Sequence, residues 1–166
     1  MIRKATLADL DALMPVYAAA RRYMAENGNP TQWGTTTPRR ELLESDVEKG
    51  QLYVVEAEGS IHGGFVLQWG EDPFYTVPVS GSWRYDDPYG TIHRIASDGT
   101  RHGVFAECLA YCEAQTDSLR IDTHADNHTM QHLIQKHGVT YSATVRMADG
   151  TLRFAYERRI AQREKE

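Results

Sequence analysis

The chain has 166 residues, of which 41% are hydrophobic, and its formal net charge is −5 at pH 7. A chain of this length buries roughly 70% of the surface that its unfolded state exposes, so its core needs neither disulfides nor a metal. The acidic balance argues against nucleic-acid binding, which usually needs a basic surface. No apolar run approaches the roughly 18 residues that a membrane span needs. We therefore expect neither a nucleic acid nor a membrane as partner.

The cysteines and the N-terminus indicate the compartment. Cys108 and Cys112 lie four residues apart in a helical pattern, which suits two small core residues under reducing conditions better than a disulfide framework. The first residues, MIRKATLADLDA, reach acidic side chains too early for a signal peptide. We therefore expect a cytoplasmic protein.

The N-terminal half is predicted to hold, in chain order, a strand at 2–5, a helix at 7–26, a helix at 38–49 and strands at 51–58 and 61–69. Thr6 and Asp9 have the spacing of a capping box at the start of the first helix, with Asp in the place of Glu. Thr37 is predicted to cap the second helix and Pro38 to occupy its first turn. A tight turn at 58–60 joins the two strands into a hairpin.

The C-terminal half is predicted to hold, in chain order, a short strand near 75–79, a strand at 91–97, a helix at 104–114, a strand at 119–123, a helix at 128–137 and strands at 140–147 and 151–158. Asp126 or Asn127 can cap the last helix, and Gly138 stands where a left-handed residue ends it. Asp149-Gly150 is a strong hairpin signal between the last two strands. The order of elements predicts a mixed α/β fold around one central sheet.

Three stretches carry a resemblance to a known family. They are IRKATLADLDAL near the N-terminus, HRIAS at 93–97 with the glycine-bearing loop after it, and RIDTHADNHTMQHLIQKHGV at 120–139. The chain resembles the GCN5-related N-acetyltransferases (GNAT), which move an acetyl group from acetyl-CoA to an amine. The resemblance implies a central mixed sheet of six to seven strands, with strands four and five splayed, flanked by about four helices. It also implies one acetyltransferase-like domain over 1–160, followed by a charged tail at 161–166.

The resemblance implies that acetyl-CoA binds as co-substrate between strands four and five. Backbone groups of Ile95, Ala96 and Ser97 would contact the pantetheine arm, and Asn127 and Met130 would contact the cofactor from the last helix. The pyrophosphate would lie at the loop and helix start formed by Arg101, His102, Gly103, Val104, Phe105 and Ala106. Exposed backbone N–H groups and the helix dipole favour an anion there. An ordinary core strand and a merely capping Asn127 are the alternatives.

The chain departs from the family pattern at two positions that matter for activity. Phe105 stands where a small residue normally lets the phosphate come close, so its ring either points away or crowds the pyrophosphate. Ile134 stands where the family often has a tyrosine that protonates the departing CoA thiolate. A thiol with a pKa near 8–9 can leave as a thiolate without that help near neutral pH, so this loss would slow the step without preventing it.

The acceptor amine needs to lose a proton before it attacks. An alkyl ammonium with a pKa near 10 is less than about 1% neutral at pH 7, so a base helps. His93 is the first candidate, because strand alternation places it on one face with Ile95 and Ser97. His124 and Asp122 at the exit of the next strand follow. Each of the three could instead be structural, and Asp122 could pair with Arg94.

Two further groups of residues suggest ligands. His128 and His132 have the spacing of a helical metal pair, but no HExxH pattern accompanies them, so we expect no metal. Gln32 and Trp33, in the loop between the first two helices, and Glu71, in the segment 70–90, are predicted to bind the substrate. Trp33 could equally plug its loop to the core. Acidic residues in that segment would suit a cationic amine or could be solvated turn residues.

These observations lead to one functional hypothesis with two rivals. The hypothesis is an acetyl-CoA-dependent N-acetyltransferase in which a primary amine, on a small molecule or a peptide, attacks directly in a ternary complex. The first rival is an acyl-CoA-binding module with weakened catalysis, which Phe105 and Ile134 suggest. The second is a domain of the same fold that binds a ligand other than CoA. Whether the C-terminal hairpin also forms a homodimer is open.

Overall fold

The computed structural model of the protein describes residues 1–160. Its helices are α1 (Leu10–Glu26), α2 (Arg40–Glu48), α3 (Val104–Gln115) and α4 (His128–Lys136). Its strands are β1 (Ile2–Lys4), β2 (Leu52–Ala57), β3 (Ser60–Trp69), β4 (Ser80–Gly81), β5 (Gly90–Ser97), β6 (Ser118–His124), β7 (Thr140–Arg146) and β8 (Leu152–Arg159). None of the helices described here is long and apolar enough to cross a membrane. The predicted charged tail at 161–166 lies outside the described residues.

The strands form an open mixed sheet, and the predicted mixed α/β class with four helices is confirmed. The sheet has eight strands instead of the expected six to seven, because the segment 70–90 adds β4, which pairs with β7 through Ser80 and Gly81. The strand expected near 75–79 is wrong. A 3₁₀ turn at Pro73–Tyr75 lies there instead, because the Asp72 side chain accepts a hydrogen bond from the Phe74 N–H and caps the turn.

The described chain consists of two compact units. The first unit contains Met1–Leu67 and His93–Tyr111, and the second contains Gln68–Ile92 and the chain from Cys112 onward. Strand β5 contributes its first three residues to the second unit and the rest to the first. The strand order is β1-β2-β3-β5 in the first unit and β5-β6-β8-β7-β4 in the second.

In the first unit, α1 and α2 pack on the face of the sheet through an apolar cluster that includes Leu10, Leu13, Leu43 and Val54. The capping box is confirmed, with the Thr6 N–H donating to Asp9 Oδ2 at 2.7 Å. It opens a short 3₁₀ turn at Leu7–Asp9 that leads into α1. The expected start of the second helix at Thr37-Pro38 is wrong. Arg39 is extended, with ψ of 155°, so α2 begins only at Arg40.

In the second unit, β6, β8 and β7 form an antiparallel ladder, with Asp122 opposite Ala155 across β6 and β8. The hairpin turn predicted at Asp149-Gly150 is confirmed, since Gly150 has φ of +83°. Of the two candidate caps for α4, Asn127 is the one used, because its Oδ1 accepts from the Met130 N–H at 3.1 Å. Gly138 follows the helix with φ of +79°, as predicted.

Candidate active site

Strand β5 contains a left-handed residue in its middle. Its parallel register with β6 covers Gly90–Leu119 to Ile92–Ile121, and two residues later Arg94 has φ of +48°. A non-glycine residue with this φ inside a strand is strained by about 1–3 kcal/mol, so the surrounding structure has to hold it. The bend also interrupts strand alternation, so the expectation that His93 shares a face with Ile95 no longer follows from spacing.

Arg94 is held by groups from α1 and α2. Its Nε and Nη2 atoms donate to Asp46 Oδ2 and Oδ1 of α2 at 3.0 and 2.9 Å, and Asp46 is only 1% exposed. The Tyr17 hydroxyl of α1 donates to the Arg94 carbonyl at 2.7 Å, and Gln51 Nε2 donates to Asp46 Oδ1 at 2.9 Å. The suggested pairing of Arg94 with Asp122 is therefore wrong, because Asp46 occupies the guanidinium.

Sequence reasoning missed Asp46 and Tyr17, although a signal for Asp46 was present. Asp46 lies three residues after Leu43 on the buried side of α2, and a carboxylate on the apolar face of a helix needs a buried partner. The Tyr17 side chain can reach β5 because β3 has a glycine where this side chain passes it. A Cβ on Gly64 would lie 3.4 Å from the Tyr17 hydroxyl and 2.9 Å from Leu13 Cδ1.

The loop after β5 leads into the N-terminus of α3. The Asp98 side chain accepts from the Thr100 N–H at 2.9 Å and fixes the turn. Gly103 has φ of +78°, and the position of a Cβ there has no atom within 4 Å. The backbone before α3 therefore adopts a conformation that favours glycine and is open on that side.

Two side chains of this loop and helix differ in their availability. Arg101 is not a free cation, because its Nη2 donates to Glu107 at 2.7 Å. Phe105 is 8% exposed, which fits the alternative in which its ring points away from the loop. His102 is exposed and Val104 is buried, so the helix start offers one uncovered imidazole and its backbone N–H groups.

At the end of β6, the candidate bases are already engaged. Asp122 accepts a short hydrogen bond from the Tyr75 hydroxyl, and Arg153 Nε lies 3.9 Å from its other oxygen. His124 Nδ1 accepts from the Asp126 N–H at 3.0 Å. In a neutral imidazole this leaves the proton on Nε2, so that nitrogen can donate but not accept. In the first unit His93 is half-buried and in contact with neighbouring groups.

The residues predicted to contact the cofactor from the last helix lie in the second unit, close to His124 at the end of β6. Asn127 is buried, and Met130 follows it in the first turn of α4 with its N–H bound to the Asn127 side chain. Ile134, one turn further along, is fully buried. Ile134 therefore packs in the core and has no proton to donate, so α4 supplies no acid for the departing thiolate at this position.

A pocket of about 660 Å³ lies in the second unit. Its walls are largely aromatic: Trp69, Tyr75, Trp83, Tyr85 and Tyr89. The Trp83 indole N–H donates to the Tyr75 carbonyl at 2.6 Å. The Tyr89 hydroxyl accepts from the Asp72 N–H at 2.9 Å. Side-chain hydrogen bonds thus fix two of the aromatic walls, and the segment 70–90 is a built wall instead of a loose loop.

One cation and three carboxylates line this pocket. The Arg120 guanidinium lies between the Trp83 and Tyr89 rings, 3.8 Å from each centroid. Asp87 pairs with Arg159 at 3.2 Å. Glu71 and Asp86 are exposed and have no hydrogen bond or ion pair with any residue of the described range. The pocket therefore combines aromatic faces with two uncompensated negative charges.

The other predicted substrate residues belong to the first unit. The Trp33 ring packs on Tyr17 with centroids 5.7 Å apart and lies against the apolar cluster under α1. Gln32 Oε1 accepts from Asn29 Nδ2 at 2.9 Å. Both contacts favour the alternative in which Trp33 fastens its loop to the core. Glu71 lies in the second unit, at the pocket.

The histidine pair on α4 is not part of a larger set of ligands. His128 and His132 are both exposed, and residues 1–160 contain no group of three histidine, cysteine or acidic side chains arranged to hold a metal ion.

Solved structures with the same fold are numerous. A GNAT-family acetyltransferase from Streptococcus agalactiae 2603 is 29% identical, with a TM-score of 0.86 over 98% of this chain and 96% of that chain. A GNAT-family acetyltransferase from Listeria monocytogenes 4b F2365 is 19% identical, with a TM-score of 0.70 over 96% and 94%. The protein yncA from Salmonella typhimurium, solved with its cofactor acetyl-CoA, is 15% identical, with a TM-score of 0.61 over 100% and 96%.

Comparisons by sequence gave no further relatives: no family model matches the chain, and no curated protein matches it. The structural likeness nevertheless covers almost the full length of both chains in each case. It agrees with the resemblance carried by the HRIAS and RIDTHADN stretches. The chain is a protein of the GNAT acetyltransferase fold.

Proposed function

We propose that this protein is an acetyl-CoA-dependent N-acetyltransferase that acts on a primary amine. The observation that carries the proposal is the left-handed Arg94 in β5, followed by an open glycine turn at the start of α3. A bend in a strand turns backbone N–H and C=O groups away from the regular ladder, where a ligand's amide groups can bond to them. The backbone of Ile95, Ala96 and Ser97 is our proposed contact for the pantetheine arm.

The N-terminal turn of α3 suits the pyrophosphate of the same ligand. The first-turn N–H groups and the dipole of a helix favour an anion, the Gly103 turn is open, and the His102 side chain is exposed beside it. Acetyl-CoA is bound in the solved Salmonella typhimurium protein, which supports this ligand. Asn127 and Met130 stay proposed as further contacts.

We propose the aromatic pocket of the second unit as the acceptor site. Aromatic faces attract a cation through their quadrupole, and nearby carboxylates add to that attraction. Glu71 and Asp86 supply the carboxylates and Trp69 supplies a face, whereas the Tyr85 ring already has the Arg159 guanidinium 5.3 Å from its centroid. An amine that is protonated in solution and has an apolar body fits these walls.

The chemistry is a direct transfer within a ternary complex. The ammonium first gives one proton to a base, for which His93 is the proposed group. Asp122 is a second candidate, and His124 is a third that could accept only after the Asp126 N–H releases its Nδ1. The amine nitrogen then bonds to the thioester carbonyl carbon, the C–S bond breaks, and CoA leaves as a thiolate. With Ile134 buried where an acid would stand, the thiolate takes its proton from solvent, and the nitrogen releases its second ammonium proton to solvent as the neutral amide forms.

A thiol-release assay tests this proposal. The purified protein is incubated with acetyl-CoA and a panel of amines with aliphatic or aromatic bodies, and free CoA is followed with a thiol reagent. We expect release to depend on the amine, and the acetylated amine to appear in equal amount by mass spectrometry. The matched variant Glu71→Gln is expected to raise the amine KM and to leave the acetyl-CoA KM unchanged.

The buried Ile134 supports an alternative, a CoA-binding module without turnover. It predicts that calorimetric titration detects acetyl-CoA binding while no amine in the panel releases thiol. A protein that binds neither acetyl-CoA nor CoA at millimolar concentration would contradict both functions. The cytoplasmic location and a homodimer through the C-terminal hairpin remain predictions.

A further inference from the structure

We infer that Asp46 is a positioning residue for the cofactor strand: it holds Arg94 in its left-handed conformation and thereby sets the direction of the backbone at 95–97. The inference rests on the proposed function, because the backbone at 95–97 matters only if CoA binds there. It adds a residue on another element, in α2, that touches no part of the proposed cofactor site.

Arg94 is strained in the conformation that it adopts. A residue with a Cβ at φ of +48° is disfavoured and persists only where the surrounding structure fixes it. The stretch has no glycine to relieve this, since 92–97 reads IHRIAS. Something outside β5 therefore has to offset the strain.

The Asp46 carboxylate can hold the Arg94 side chain in the position that goes with the left-handed backbone. Its two oxygens accept from Nε and Nη2 of Arg94 in parallel, at 3.0 and 2.9 Å, the geometry of a bidentate pair. Asp46 is 1% exposed and is oriented by Gln51 at 2.9 Å. A buried, oriented carboxylate fixes both the position and the rotation of the guanidinium, and through it the backbone of Arg94.

Two other contacts limit how the backbone of β5 can move out of the left-handed conformation. The Tyr17 hydroxyl bonds to the Arg94 carbonyl at 2.7 Å. A Cβ at Gly63 of β3 would approach the Ala96 carbonyl to 2.8 Å, so β3 lies directly against the backbone that follows the bend. Together with the Asp46–Arg94 pair, these contacts restrict the backbone at 95–97 to one path.

Calorimetric titration with CoA compares four proteins. Relative to the wild type, Asp46→Ala is expected to bind CoA about tenfold more weakly, the size of effect expected when a strained backbone loses its support. In the double variant Asp46→Ala/Arg94→Gly, affinity is expected to return to within about threefold, because glycine adopts positive φ without strain. Asp9→Ala removes another bidentate arginine pair of the same unit, Arg3–Asp9, and is expected to leave CoA affinity unchanged.

Two outcomes would overturn the inference: wild-type affinity in Asp46→Ala, or an equally weak double variant, which would mean that backbone strain is not the cause. A measurement on the protein without CoA tests the inference independently of the proposed function. The Cα chemical shift and the three-bond HN–Hα coupling of residue 94 report its φ, and Asp46→Ala is expected to lose the left-handed values. If Asp46→Ala keeps them, the inference fails even for a protein that binds no CoA.

Discussion

The two units each contain a buried carboxylate beside an arginine, and the two pairs are built differently. In the first unit, Asp46 and Arg94 share two hydrogen bonds of 2.9 and 3.0 Å. In the second unit, Glu157 Oε1 lies 3.7 Å from Arg120 Nη2, and both Glu157 Oε1 and Arg120 Nε are buried without a hydrogen-bond partner among the described residues. The first pair fixes one geometry, whereas the second leaves bonding capacity unused.

The difference fits the two proposed roles. A cofactor that is the same in every turnover is best bound by a backbone of fixed direction, because preorganisation lowers the cost of binding. In the proposed acceptor pocket, the Trp83 and Tyr89 rings and the Tyr85 carbonyl, at 3.3 Å, hold Arg120 more closely than its carboxylate does, so this pair depends on the aromatic walls. Substitutions in each unit test this difference.

The largest expected effect separates the two carboxylates. Asp46→Asn places an amide N–H₂ against a donor and removes one partner of a buried bidentate pair, so we expect a loss of about 3 kcal/mol in the free energy of unfolding. Glu157→Gln can keep its oxygen on the Arg84 N–H and loses only the long contact to Arg120, so we expect about 1 kcal/mol. Urea denaturation measures both, and equal losses would contradict the distinction.

A second prediction concerns the glycines of β3. In Gly63→Ala the new Cβ would meet the Ala96 carbonyl at 2.8 Å and Val104 Cγ1 at 2.7 Å, and a backbone atom cannot turn aside. We expect about 2 kcal/mol of destabilisation together with weaker CoA binding. Gly64→Ala meets first the flexible end of Leu13 at 2.9 Å and also the Tyr17 hydroxyl at 3.4 Å, so it is expected to cost less stability and to weaken CoA binding less than Gly63→Ala does.

A third prediction tests the pocket. Trp83→Ala removes one face from Arg120 and the hydrogen bond to the Tyr75 carbonyl. Because these two contacts hold the pocket wall and Arg120 in place, we expect the KM of the best amine to rise several-fold, with the acetyl-CoA KM unchanged. Phe74→Ala, on an exposed ring of the same segment, serves as control. A rise in the acetyl-CoA KM alone would count against the pocket as acceptor site.

The smallest effect is expected at the rim of the first unit. The Arg3 guanidinium holds the pKa of Asp9 at about 2, below its ordinary value of 3.8. A lowered folded-state pKa contributes stability above about pH 4 that is lost as the pH falls toward 2. Asp9→Asn should therefore lie below the wild type by less than about 1 kcal/mol at neutral pH, since the pair is partly exposed. In acid unfolding curves the gap is expected to close near pH 2, and a constant gap would refute this assignment.

The sequence predicted the elements whose signals are local. The capping box of Thr6 and Asp9, the Asn127 cap and the Asp149-Gly150 turn each depend on residues within a few positions of one another, and all three are present. The start of α2 was misplaced because Thr37-Pro38 has the local signature of a helix start, whereas the extended Arg39 delays it. Local chemistry favoured one boundary and the surrounding packing selected another.

The candidate site was predicted less completely, for a different reason. Spacing identified β5 and the glycine loop, but no local signal marks a left-handed arginine, because the groups that hold it, Asp46 and Tyr17, are 48 and 77 residues away along the chain. The pocket was foreseen only as an acidic segment around Glu71. Four of its aromatic walls come from that same segment, but only the fold brings them together with Trp69 of β3 and Arg120 of β6.

The central claim is that the bent strand and the helix start after it bind CoA, and that the aromatic pocket does not. The most direct test is a titration of the ¹⁵N-labelled protein with free CoA, followed through its backbone amide resonances. The account predicts that the largest shifts occur at 95–97 and 103–106 and that 69–89 changes little. Shifts confined to 69–89, or no shifts at millimolar CoA, would contradict it.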